Sequence, residues 1–202
     1  MSKGEDTPES WETIYQNEKP GWDVGYITPA IKHFYEEHKK TWLKPGHMII
    51  PGCGFGHEVE FFLDQGFTVS AIDFAKTPIE VLQKKRGGNP HLRLICNDMF
   101  LIQPAELPMA DFILEHTCFC AIPIRNRPKY VRFIETFLKP KGVFFGLFFK
   151  FNDSSEGPPH PITDKEIQDL FAPSFDIQLL EFTESSHEKR RGREKIFKMV
   201  KK

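Results

Sequence analysis

Apolar positions fall along the chain in two patterns. Short continuous runs, such as 48–50 and 143–149, read as strands buried on both faces, the habit of parallel sheets. Between them, apolar residues recur at helical spacing. Val59, Phe62 and Leu63 stand at i, i+3 and i+4, and Tyr130, Phe133, Ile134, Phe137 and Leu138 form one stripe. Strands are expected at 48–50, 67–72, 92–96, 110–114, 143–149, 175–182 and 194–200, the last two joined directly. Such alternation predicts an α/β fold, a doubly wound, Rossmann-like sheet of seven mostly parallel strands.

Punctuation supports the helices. Pro29 opens one carrying Ile31, Phe34 and Tyr35, and Pro128 opens another. Thr77-Pro78-Ile79-Glu80 and Thr163-Asp164-Lys165-Glu166 have the form of capping boxes. Gly87-Gly88-Asn89-Pro90 and Lys139-Pro140-Lys141-Gly142 read as stops. The polar residues 1–10 are expected to be disordered, and 11–202 to form a single domain. Within it, 11–43 reads as helical with a break at Lys19-Pro20-Gly21, outside the sheet core. Trp11 and Tyr15 share one face there, and Trp22 follows the break. These aromatics either form a lid over a ligand or dock the extension onto the domain, and the residues alone leave both open.

Composition narrows the class. A chain of 202 residues suffices for one α/β domain with a sizeable core. A net charge of -1 gives no footprint for nucleic acid or an anionic membrane. No apolar run approaches the roughly 20 residues of a membrane span, and the polar start lacks the apolar centre of a secretory signal. Four cysteines, all in expected core segments, read as reduced thiols of a cytoplasmic protein. A monomer is expected.

The densest chemistry lies at 47–57. Strand 48–50 runs into Gly52, Gly54 and Gly56, and a helix follows. The dinucleotide template G-x-G-x-x-G would want its third glycine at His57. Spacing G-x-G-x-G is instead typical of S-adenosylmethionine (SAM) methyltransferases. Asp73 ends the second strand, about 20 residues on, where a carboxylate accepts from ribose hydroxyls; a solvated strand-end acid is the competing reading. Asp98 and Met99 follow the third strand, where an adenine edge would lie, and an Asx turn at Asn97-Asp98 would also explain that pair. His116, Cys118 and Cys120 alternate after the fourth strand and would share a face if extended. Their spacing is not that of a zinc site and no metal is expected. The cysteines read as small apolar residues, with His116 facing the cofactor or hydrogen-bonded in the core. The loop at 152–161 also lies at a strand's carboxyl end and can wall a substrate. The basic run His187–Arg193 reads as a solvated hairpin tip.

Taken together, Trp11, Tyr15, Trp22, Pro51-Gly52-Cys53-Gly54, Asp73, Phe119-Cys120-Ala121-Ile122 and Gly157-Pro158-Pro159 resemble the thiopurine S-methyltransferase family, most nearly its plant and bacterial thiol and halide branch. The resemblance implies a class I SAM-dependent methyltransferase fold. It implies cofactor contacts at Trp11, Tyr15, Trp22, Gly52, Asp73, Asp98, Met99 and His116, with Gly54 in the same turn. Phe119, Pro158 and His160 are the expected substrate wall, with His160 the obvious cation. Two positions depart from the family: Tyr15 stands where the halide branch has tryptophan, and His116 where relatives have tyrosine or arginine. The implied reaction is in-line methyl transfer to a thiol, thiocyanate or halide, which requires no named catalytic acid or base. Aromatic thiols or metalloids are alternative acceptors. A nucleic-acid or protein N-methyltransferase and a non-catalytic SAM-binding module are the rival classes.

Overall fold

The structure, a computed structural model, describes residues 7–17, 20–150 and 157–202. Its elements in order are α1 (Pro8–Asn17), α2 (Pro29–His38), β1 (His47–Pro51), α3 (His57–Asp64), β2 (Thr68–Asp73), α4 (Lys76–Arg86), β3 (Leu92–Cys96), β4 (Ala110–His116), α5 (Arg127–Phe137), β5 (Leu138–Phe149), α6 (Asp164–Phe171), β6 (Phe175–Phe182) and β7 (Glu194–Lys201). The sheet has the order β3-β2-β1-β4-β5-β7-β6. Pairs from β3 to β5 are parallel, and β7 runs antiparallel to both β5 and β6. The chain reverses its winding between β1 and β4. Ligands of doubly wound sheets bind at such a switch point, beyond the carboxyl ends.

Continuous apolar strands supply a core to both faces. Met48 and Ile50 of β1 pack with Phe62 and Phe67 on one side, whereas Ile49 packs with Tyr130 and Phe144 on the other. Along β5, Phe145 and Leu147 join the first cluster, and Phe144 and Phe148 the second. Rings of Phe144, Phe148, Phe171 and Phe197 sit within 4.1–5.9 Å of one another in successive contacts. That packing accounts for much of the phenylalanine content.

Several boundaries differ from those expected. Residues 1–6 lie outside the described residues, but α1 begins at Pro8, so 8–10 are helical rather than disordered. β5 begins at Leu138, which pairs with Ala110 ahead of a bulge, so Lys139–Gly142 lies within the strand. The Thr77 capping box does not form. α4 starts at Lys76, and Thr77 Oγ1 donates to Glu12 Oε1 at 2.6 Å. Glu12 Oε2 accepts from the amides of Lys76 and Thr77 at 2.7 and 2.9 Å. A carboxylate of α1 therefore caps α4 from 64 residues away, satisfying donors that no local side chain takes. The second box forms by half: Thr163 Oγ1 accepts from the Glu166 amide, but the Glu166 carboxylate turns to Arg127. Cys53, Cys118 and Cys120 are buried, whereas Cys96 is exposed, against the expectation that all four lie in the core.

α1 buries no residue completely, and the Glu12 cap and the ring contacts of Trp11 and Tyr15 hold it to the domain. Removing that cap in Glu12→Ala should cost roughly 1 kcal/mol of docking, the usual worth of a helix cap. Amides of 11–17 should then exchange faster while those of β1, β2 and β4 do not change. Equal exchange in variant and parent would make the contact incidental.

Candidate active site

The glycine turn opens the site. Gly52 has φ +59°, and a Cβ there would stand 2.8 Å from Cys118 Sγ. Gly56, at φ +78°, precedes α3, and a Cβ would stand 2.3 Å from Leu82 Cδ2. Both positions thus exclude side chains by conformation and by space. The turn lies against the end of β2. The Cys53 amide donates to Ile72 O, and the Gly54 amide donates to Asp73 Oδ2 at 3.0 Å.

Asp73 closes the other side. Its Oδ1 accepts from the Ala75 amide at 2.9 Å, and the residue is 5% exposed. Burial pushes its carboxyl up to about 6, against hydrogen bonds from the Ala75 and Gly54 amides that favour the anion. Each oxygen holds one backbone donor and keeps capacity for another.

A cavity of about 640 Å³ extends from this carboxylate along the carboxyl edge. Trp11, Tyr15, Trp22, Gly52, Gly54, Asp73, Asp98, Met99 and His116 all line it, so the structure gathers every residue expected at the cofactor. Trp22 meets Trp11 and Tyr15 edge-on at 5.1 and 6.0 Å, and Tyr15 meets Phe55 at 5.2 Å. Burial, with the charge of Asp73 added, holds the Tyr15 phenol above its ordinary range. Asp98 does form the turn weighed against it: Oδ1 accepts from the Phe100 amide at 2.9 Å while the residue also lines the cavity.

The acceptor end departs from expectation. Thr117 has φ +61°, which turns the chain out of β4, so His116, Cys118 and Cys120 do not share an extended face. Cys118 and Phe119 amides both donate to Glu115 Oε1 at 2.8 Å, and the Tyr130 hydroxyl donates to Oε2. Burial pushes the Glu115 carboxyl up to about 7 despite these three donors. Phe119 consequently faces the core, fully buried against Tyr130, Phe148 and Phe171, and it does not line the cavity. Neither does His160, whose amide donates to Cys120 O at 2.7 Å. Pro158 does, with Pro159, Ile122 and Phe149. Residues 152–156 of the expected loop lie outside the described residues.

The cations come from a segment expected to be a solvated tip. Lys189, Arg190 and Arg193 line the cavity, beside the His187 ring, and Arg190 is 6% exposed. Arg190 Nη1 donates to Glu194 Oε1 at 3.0 Å and to His116 Nε2 at 2.9 Å, and Nη2 donates to Trp22 O. Since Nε2 accepts, Nδ1 carries the proton of His116 and faces Glu58 Oε1 at 3.1 Å. Glu58 Oε1 also accepts from the Thr28 amide at 3.3 Å. Sequence signals for Arg190 amounted to one position in a basic run, with Glu194 four residues on.

The residues fit a sulfonium nucleoside. Asp73 offers paired acceptors to a ribose, the three aromatic rings suit a cation, and the volume lies within the ordinary range for small-molecule sites. Among the described residues, no helix is long and apolar enough to cross a membrane.

Comparison with known proteins agrees. The model of the family described as Thiopurine S-methyltransferase (TPMT) matches residues 6–202. The chain is 30% identical over 196 residues to Probable thiol methyltransferase 2 of Arabidopsis thaliana, covering 95% of this chain and 84% of that protein. It is 28% identical over 190 residues to Thiocyanate methyltransferase 1 of Brassica oleracea, covering 92% and 82%. In structure it is similar to the 1,6-didemethyltoxoflavin-N1-methyltransferase of Burkholderia thailandensis, solved with S-adenosylhomocysteine, at TM-score 0.76, 18% identity and coverage of 96% and 86%. The N-methyltransferase NodS of Bradyrhizobium japonicum WM9, also with S-adenosylhomocysteine, gives TM-score 0.76 at 11% identity, covering 98% and 99%.

If Asp73 accepts from two ribose donors, as its geometry allows, its carboxylate must be ionised to do so. SAM affinity should therefore rise with pH through about 6, where Asp73 titrates in the free protein. Asp73→Ala should weaken SAM by about 1–3 kcal/mol and abolish that step. The raised pKa has the opposite sign for stability. Folding favours the protonated acid, so this contribution is full below 3.8 and is lost as pH rises through about 6. Glu115 acts likewise between 4.5 and about 7, so Glu115→Gln should flatten stability over that interval. Calorimetric titration and denaturation across pH check both; a SAM affinity indifferent to pH and to Asp73→Ala would remove Asp73 from the site.

Proposed function

The chain belongs to the thiopurine S-methyltransferase family and is a SAM-dependent methyltransferase, and we propose that it methylates a small soft nucleophile: a thiol, thiocyanate or a halide. The observation that carries this reading is the acceptor end of the cavity. Ile122, Phe149, Pro158 and Pro159 are apolar, and the buried cation beside them, Arg190, is already paired with Glu194. A wall of this kind suits an anion that is cheap to desolvate. Lys189 and Arg193 also line the cavity but are exposed, so the buried wall itself holds no cation beyond the paired Arg190 to meet a phosphate chain.

In this reading Asp73 orients the ribose, the turn at Gly52 and Gly54 lets the backbone approach, and Asp98 and Met99 meet the adenine. Trp11, Tyr15 and Trp22 close over the sulfonium as a lid at the start of the domain 11–202, whereas α2, expected within a lid of 11–43 outside the sheet core, packs into that core through Ile31, Phe34 and Tyr35. His116 borders the place where donor and acceptor meet. Bound SAM supplies an electrophilic methyl group. The chain holds the reactants in line and keeps water out, which for such a transfer is most of the catalysis. No side chain is assigned as general base. Arg190 holds the Nε2 lone pair of His116, and a thiol with pKa about 8.5 is already partly ionised at neutral pH. The relatives named for thiol and thiocyanate methyl transfer support this acceptor class. Halides, a cytoplasmic location, a monomeric state and indifference to nucleic acid belong to the same proposal; the four unbridged cysteines support the location. Aromatic thiols are the second reading, favoured by the size of the cavity.

Turnover of labelled SAM against iodide, thiocyanate, hydrosulfide, an aromatic thiol and a thiopurine tests it. Methyl transfer to at least one is expected. Above pH 7, thiocyanate rates should be flat, whereas thiol rates should rise toward the thiol pKa. Transfer to RNA, DNA or a peptide, with none to this panel, would overturn the reading.

A further inference from the structure

We propose that Arg127 is a positioning residue that fixes the acceptor wall and so selects among acceptors. The inference rests on the acceptor end proposed above. Arg127 opens α5 and is 0% exposed. A guanidinium buried so completely is expensive unless its donors are used. Here both Nη groups are used, on the proline loop and on Glu166 of α6, while the buried Nε has no hydrogen-bond partner among the described residues. Nη1 donates to Pro161 O at 2.9 Å and to both Glu166 oxygens at 2.6 and 2.7 Å, and Nη2 donates to His160 O at 3.3 Å. The guanidinium also lies over the Phe119 ring, 4.7 Å from its centre.

The sequence explains why the loop needs such a group. Pro158, Pro159 and Pro161 have no amide hydrogen, so the segment cannot join a ladder by its own donors. Its carbonyls still require partners. Arg127 supplies two from outside, and the His160 amide ties the same loop to Cys120 O at 2.7 Å. The proline loop and the turn at Phe119–Ala121 thereby form one wall. Cys120, Ile122, Pro158 and Pro159 line its inner side; Phe119 and Arg127 back its outer side. Arg127 does not reach the cavity, so it acts on the acceptor only through this wall. Lysine could keep the pair with Glu166 but could not span two carbonyls as well, because it lacks the planar fork.

The test uses Arg127→Lys and Arg127→Met in the full chain, with Lys deciding if Met fails to fold. Exchange at the His160 amide should quicken while β1 to β4 keep their protection. SAM affinity by calorimetry should stay within about twofold, since the Asp73 half is untouched. The kcat/KM for thiocyanate should fall roughly tenfold or more, the scale expected when a reactant's wall shifts by about 1 Å. The ratio of kcat/KM for a bulky aromatic thiol over thiocyanate should change by a similar factor. Unchanged His160 exchange with an unchanged acceptor ratio in a folded variant would overturn the proposal. Acceptor and SAM affinities falling in equal proportion would also overturn it, as the mark of a general structural role. Should the parent methylate none of these acceptors, the proposed function fails, while exchange at His160 still judges the clamp.

Discussion

The buried carboxylate of Asp73 is the constraint around which the upper edge of this molecule is built. It receives the Gly54 amide on one oxygen and the Ala75 amide on the other, and so joins the turn after β1 to the start of α4. Burial works against its ionisation, and backbone donors from Ala75, Gly54 and Phe74 only partly offset that cost. The folded protein therefore holds an acid that a ligand with hydroxyl donors would stabilise. A ligand supplying such donors would return the stability given up here. The glycines make it possible, because side chains at Gly52 or Gly56 would collide with Cys118 or Leu82 before the turn could reach Asp73.

A second set of buried charges fastens the N-terminal segment to this edge. From Glu194 through Arg190 and His116 to Glu58, each member is hydrogen-bonded to the next, and two backbone groups of the segment, Trp22 O and the Thr28 amide, attach to it. Glu12 attaches α1 to α4 immediately after Asp73. The aromatic residues lining the cavity are thus held by these polar contacts together with their own ring contacts to Phe55 and Phe74.

What the sequence made legible follows from range. Strand cores such as Met48–Ile50 and the Gly52–Gly56 turn are specified by neighbouring residues, and they stand where local pattern placed them. Asp73 was legible because strand, turn and strand fix its distance from the glycines. Contacts made across the fold left no local trace. Glu12 reaches α4 over 64 residues, and Arg190 reaches Trp22 over 168. A basic run beside acidic neighbours looks the same whether its middle arginine is solvated or buried. At Phe119 the failure was one of direction. The left-handed Thr117 reverses which side chains face inward, and nothing in Glu115-His116-Thr117 announces a positive φ at a threonine.

The cysteines carry the last step. A methyl donor alkylates whatever soft nucleophile meets it, and Cys53, Cys118 and Cys120 all line the cavity. Burial pushes the first two thiols well above their ordinary range and Cys120 up to about 12. They remain protonated at neutral pH and supply no competing thiolate. The low polarity that silences them also acts on whatever enters. A strongly hydrated anion loses too much on leaving water, whereas a large, diffuse one loses little and arrives unsolvated beside the aromatic wall. Burial among apolar walls thus keeps these thiols protonated, and under the proposed function the same walls would favour a weakly hydrated acceptor.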